Sequence, residues 1–214
     1  MKAISIQVQP HLAPVRLLRL SCAALLCLAM VPEADEIPRF LDSPSAQELV
    51  DLLESANAHA VAHAIAYPPS YSSDELAEDR EGVARATAYL MGEFGRLRSV
   101  KPLRKQVVIL DIGISGGSEA YWWRGDSGVE NTRQYIYDAA FEEAGQGFVK
   151  VLTYVTGSRE ICVGFSFGFD ANNPEAETRI RAAMTGLMDT MGVPKDHPAR
   201  FAPLPRWQAP AITP

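Results

Sequence analysis

Residues 160–170 read EICVGFSFGFD, and this run decides the fold class. Ile161, Val163, Phe165, Phe167 and Phe169 alternate with Cys162, Gly164, Ser166, Gly168 and Asp170. A period of two puts successive side chains on opposite faces of a strand, so one face is large and apolar and the other nearly bare. Bare backbone invites close approach. Either a helix lies across the glycines, or they floor a ligand pocket lined by Cys162, Gly164 and Ser166.

The segments before this run share its period. RQYIYDAAFE and GFVKVLTYV are separated from one another and from 160–170 by EAGQG and TGSR. Turns this short join antiparallel neighbours, because parallel strands need crossovers of about a dozen residues or more. Upstream, QVVILDIGIS from Gln106 reads as a strand buried on much of both faces. The turn Gly116-Gly117 and a short aromatic piece, AYWW, follow it. The expectation is an antiparallel meander of four or five strands.

Helical spacing brackets these strands. Ser43 with Pro44, or Ser45 with Glu48, can start a helix whose Leu49, Leu52, Leu53, Ala56, Ala60 and Ala64 form one stripe ending by Pro68. Ser72 and Glu75 have capping-box spacing for a second helix carrying Leu76, Val83, Leu90 and Phe94. After the strands, Asn173 with Pro174 predicts a third helix presenting Ile180, Met184, Leu187 and Met191 and stopping at Gly192. The class is α+β: an N-terminal helical pair, an antiparallel meander and a C-terminal helix, in one domain over 40–192. From Val193 the chain carries six prolines and little periodicity, which predicts an extended tail over 193–214, largely independent of the core.

The helix ending in YLMGEFGRLRSVKPL, followed by YIYDAAFE, FVKVLTYV and ICVGFSFGF, resembles the cone-shaped domains of the nuclear transport factor two-like superfamily over roughly residues 75–170. A helix-backed sheet similar to that of the extrinsic photosystem lumenal proteins accounts for the last helix about as well. Members of the first superfamily include enzymes, small-ligand binders and noncatalytic assembly modules, so the resemblance implies a pocket more than a reaction.

The chain has 214 residues, 47% hydrophobic and 21% charged, a globular composition. With a formal charge of −6 it has no basic excess to follow a nucleic-acid backbone. Lys2, Arg16 and Arg19 precede the apolar run LSCAALLCLAMV from Leu20 to Val31. A charged flank before a greasy core shorter than the ~20 residues of a membrane span is the pattern of a secretory signal peptide. Residues 1–29 form that segment, with cleavage after Ala29 or as late as Ala34; left uncleaved, it would be the chain's one route to a membrane. Its removal takes three positive charges and no acid from a chain of net −6, leaving −9, and leaves Cys162 as the sole cysteine. No intrachain disulfide then forms, and Cys162 on an apolar strand reads as an inert buried residue. The protein is expected to be periplasmic or secreted.

No coherent catalytic set emerges, and no cofactor or metal is implied. Gly113-Ile114-Ser115-Gly116-Gly117 fits G-x-S-x-G, with Asp196-His197 downstream, but two helices stand where a hydrolase needs its first strands. His59 and His63 are one helical turn apart without a third ligand; His63 falls in the apolar stripe and would serve as a polar fixture of a pocket. Asp111, Asp138 and Glu142 could supply acid–base chemistry beside His63 if they met in that pocket. Tyr121, Trp122 and Trp123 pack at a sheet edge, with at least one indole available as a contact surface, and Arg124-Gly125-Asp126 is a turn. The leading expectation is an exported noncatalytic domain binding a small ligand or a protein; the alternative is a secreted hydrolase using Ser115 or the carboxylates with His63.

Overall fold

A computed structural model describes residues 39–116, 131–204 and 206–212. The signal-like segment, Gly117, Trp122, Trp123 and the turn at 124–126 lie outside them. Among the described residues the order is β1 (Arg39–Phe40), α1 (Pro44–Glu54), α2 (Ala58–Ala64), α3 (Ser73–Phe94), β2 (Leu97–Pro102), β3 (Val108–Ser115), β4 (Thr132–Phe141), β5 (Gly145–Thr156), β6 (Arg159–Asp170), α4 (Ala176–Thr190), a 3-10 turn (Pro198–Phe201) and β7 (Arg206–Gln208). This is an α+β fold with a curled, mostly antiparallel sheet.

Local chemistry sets the helix boundaries. Ser43 accepts from the Ala46 N–H and caps α1, while Ser72 and Glu75 form the expected reciprocal box at the start of α3. The single helix expected from Ser43 to Pro68 is divided. Ala56 turns to φ 56°, and the Asn57 side chain accepts from Ala60 N at 3.0 Å to begin α2. An Asn that bonds the backbone locally competes with helix continuation, so the N-terminal helices number three rather than two. At the other end, Asn173 makes a turn by accepting from Glu175 N; α4 begins at Ala176 with no side-chain cap and stops before Gly192, at φ 71°.

The meander is partial. β4, β5 and β6 follow one another, but β3 pairs with the far side of β6, β1 lies parallel to β4, and the unforeseen β2 pairs with β4. The tail is not independent: β7 pairs with β3, Ala209 N donates to Val107 O, and Ile212 bridges Arg39. Tail and β1 therefore join the two ends of the strand order, and the curled sheet closes on itself.

One face of the sheet carries the main core. Phe165, Phe167 and Phe169, with Ile112, Tyr137 and Val151, pack against Leu53 of α1, Leu90 and Phe94 of α3, and Ile180 and Leu187 of α4. Phe94 and Phe167 meet edge to face with centroids 6.0 Å apart. Cys162 belongs to this face rather than to the bare one. Leu152 pairs with Gly164 and Thr153 with Cys162, so β6 carries one extra residue at Val163, and this bulge reverses the alternation.

Among the described residues no helix lies across the glycines on that side, and the cluster on the opposite face contains no helical residue. The glycines answer to neighbouring strands. A Cβ on Gly164 would stand 2.8 Å from Ile114 O, and one on Gly168 2.7 Å from Ile109 Cγ2. Close interstrand packing inside the curl explains the small side chains.

Candidate functional site

The interior face of the curl gathers side chains from distant parts of the chain. Gln134 and Ile136 of β4, Phe148 and Lys150 of β5, Ser166 and Gly168 of β6, and Asp111 of β3 share it through the strand register. Leu103, Val107, Trp207 and Ala209 cover it in a small apolar cluster with Ile109, Ile136 and Phe148.

Lys150 extends from β5 across the nearly bare β6 to Asp111 on β3, with Nζ 2.5 Å from Oδ2. Ser166 donates to the same Oδ2 at 2.7 Å, and the ammonium lies 4.2 Å from the centre of the Trp207 ring. Both charged side chains are at most 7% exposed. Burial makes an isolated charge costly, and here the pair, the hydroxyl and the indole face satisfy it together. Ser166 donates to a carboxylate and has no neutral base beside it, so the trio lacks the relay that activates a nucleophile. It is a closed structural pin.

Arg39 is different. It is 1% exposed, and its Nη1 donates to Lys105 O at 3.4 Å and Pro210 O at 3.2 Å. Its Nε and Nη2 have no hydrogen-bond partner, and neither does the Trp207 Nε1. Burial pulls the guanidinium pKa down, opposed by the charge of Asp138. Asp138 itself is half-exposed and sits 3.7 Å from Lys105. Buried polar groups are nearly always hydrogen-bonded, so three open N–H donors on one covered face require an explanation.

A second polar knot ties α1 to the sheet. Glu160 accepts from Tyr135 Oη at 2.7 Å, Thr153 Oγ1 at 2.5 Å and Ser43 Oγ at 2.9 Å, and Ser45 donates to its carbonyl. Burial, with the bond to Glu160, pushes the Tyr135 hydroxyl up to about 12. Every oxygen of this carboxylate is occupied, which marks it as scaffold.

Of the residues singled out from sequence, Ser166 and Asp111 come together, whereas the carboxylate-and-His63 pocket does not form. His59 and His63 are both exposed on α2, which corrects the expectation that His63 lies in the apolar stripe; α2 is a separate helix and rotates that position outward. Asp138 faces Lys105, and Glu142 pairs with Arg98 on the surface. Cys162 donates its thiol to Ser45 O at 3.1 Å, and burial, then the charges of Glu160 and Glu48, pushes it up to about 12. That thiol is unreactive at neutral pH. Asp196 is exposed, and His197 Nδ1 accepts from Ala199 N, so neither side chain serves Ser115 as base or orienter. Gly164 is enclosed by β3. Among the described residues no group of three His, Cys, Asp or Glu side chains could hold a metal ion.

Sequence reasoning missed Lys150, Arg39 and Trp207. A lysine inside FVKVLTYV, flanked by valines, was the available signal, since a charge within an apolar strand needs a partner across the sheet. The chain matches no protein-family model, no curated protein and no solved structure at a significant level.

Proposed function

We propose that the protein is an exported, noncatalytic domain that holds a small ligand on the interior face of its curled sheet. One observation carries this reading: a covered face whose Lys150–Asp111–Ser166 trio is fully satisfied also holds three unpaired donors on Arg39 and Trp207. Groups that lack an intrachain partner are available to a molecule that is not part of the chain. The curled sheet backed by helices is also in keeping with kinship to nuclear transport factor two-like domains, while β1 and α4 would be additions to that pattern. Export rests on the charged flank and apolar run of residues 2–31.

The test is expression of the full chain with its own N-terminus, followed by N-terminal sequencing and native mass spectrometry. The expected product lies outside the cytoplasm, starts between Met30 and Asp35, and carries extra mass that denaturation releases. An intact Met1 form confined to the cytoplasm overturns export. A protein that keeps the bare chain mass in the presence of cell extract overturns ligand holding.

A further inference from the structure

The unpaired donors on the interior face identify the chemistry of what they lack. The two Arg39 carbonyl contacts use Nη1 alone. Nε and Nη2 remain, and in a planar guanidinium these two N–H groups point from one edge, the edge that forms two parallel bonds to a single carboxylate. The Trp207 indole N–H adds a third donor and can accept nothing. A partner for three donors must be an acceptor.

Charge narrows the choice. The interior holds Arg39 and Lys150 as cations, and its buried anion, Asp111, is already bonded to Lys150 and Ser166. One positive charge is left without a bonded counter-charge. Asp138 acts on Arg39 only from a distance, being half-exposed and held by Lys105, so water would meet the hydrogen bonds without bringing a counter-charge into contact with the guanidinium. The neighbouring side chains, Leu103, Ile136, Phe148 and the Trp207 ring, pack as one apolar cluster, so an uncharged organic body would enter by parting it.

We infer that the interior face binds a small organic acid, its carboxylate on the Nε/Nη2 edge of Arg39 and its apolar body against Trp207 and Phe148. This rests on the interior-binding reading above and deepens it by naming the ligand class. Arg39 and Trp207 are 1% and 6% exposed, so the acid enters when a wall moves. The wall that moves is the tail, because it carries both Trp207 and the Pro210 carbonyl and is the last element added to the sheet, held by three residue pairs of β7 with β3, the Ala209–Val107 bond and the bridge of Ile212 to Arg39.

The test uses the full chain labelled with ¹⁵N and titrated at constant ionic strength with benzoate, with acetate, and with neutral benzamide. Arginine Nε–H and indole Nε1–H resonances are followed, Arg39→Lys and Trp207→Phe supplying the assignments. Benzoate should shift both resonances saturably and raise the melting temperature, with acetate weaker and benzamide weaker still. Arg39→Lys removes the two-pronged edge and should weaken benzoate by about tenfold or more, while Trp207→Phe keeps a ring and loses one donor, for a few-fold effect. Equal binding of benzamide and benzoate would overturn the acid while leaving an interior ligand site standing. Silence of both resonances toward all three compounds would overturn the acid and the interior site together. Should Arg39→Lys fail to fold, the benzoate–benzamide contrast on the native chain still decides.

Discussion

The two faces of one sheet are built differently. The face under α1, α3 and α4 is closed chiefly by phenylalanines, leucines and methionines, and the polar knot at Glu160 within it has its bonds made. The face inside the curl is closed by a three-residue strand and holds a buried ion pair, a guanidinium and an indole. Both are hidden from water, yet among the sheet's own side chains the unpaired N–H donors, those of Arg39 and Trp207, lie on the second face. Burial therefore does not separate the two faces; the hydrogen bonding of their own side chains does.

Substitutions at three places put numbers on that contrast. The largest effect belongs to the helix-covered face. Phe167 touches Phe94, Phe141 and Phe165, and Phe167→Ala should cost about 4 kcal/mol in urea unfolding, because the packed rings cannot collapse into the gap. A loss under about 1 kcal/mol would mean that this face is as adaptable as the other.

The interior pin comes next. Lys150→Met leaves Asp111 buried without its counter-ion and should cost about 3 kcal/mol, whereas Lys150→Met with Asp111→Leu should recover most of that loss. A double variant no more stable than the single one would show that the pin fixes the curl itself rather than balancing charge.

The smallest effect concerns Cys162, at the bulge between the two patterns. Folding raises its thiol from 9.0 to about 12, so the native state keeps a proton that the unfolded chain releases. That contribution is whole below pH 9 and is lost as the pH climbs toward 12. The advantage of the native chain over Cys162→Ala should shrink by about 1 kcal/mol between pH 9 and pH 10. Alkylation at pH 8 followed by peptide mapping should leave Cys162 unmodified until the protein is denatured; rapid labelling of the native chain would contradict its burial.

Much of the scaffold was legible because it follows simple periods. The alternation around Phe165 and Phe167, the Ser72–Glu75 box and the stripe from Ile180 to Leu187 all appear where spacing puts them. What escaped has no periodic signature. A positive φ at Ala56 leaves no mark in residue type, and neither does the bulge at Val163, since ICVGFSFGF alternates without a break. The site was harder still. Arg39, Lys150 and Trp207 are far apart in sequence, and only the sheet's curl and the returning tail bring them to one face.

The bridge from Arg39 to Ile212 also orders events in time. Arg39 and Pro210 are joined across 171 positions of sequence, and contacts of that span demand the greatest loss of chain freedom to form. On a ribosome the helices and the β4–β6 hairpins can assemble before residues 206–212 are made, but the ring waits for those residues. Until they arrive, Arg39 lacks its Pro210 contact, β3 shows an unpaired edge, and the molecule passes through a stage that is folded on one side and open on the other.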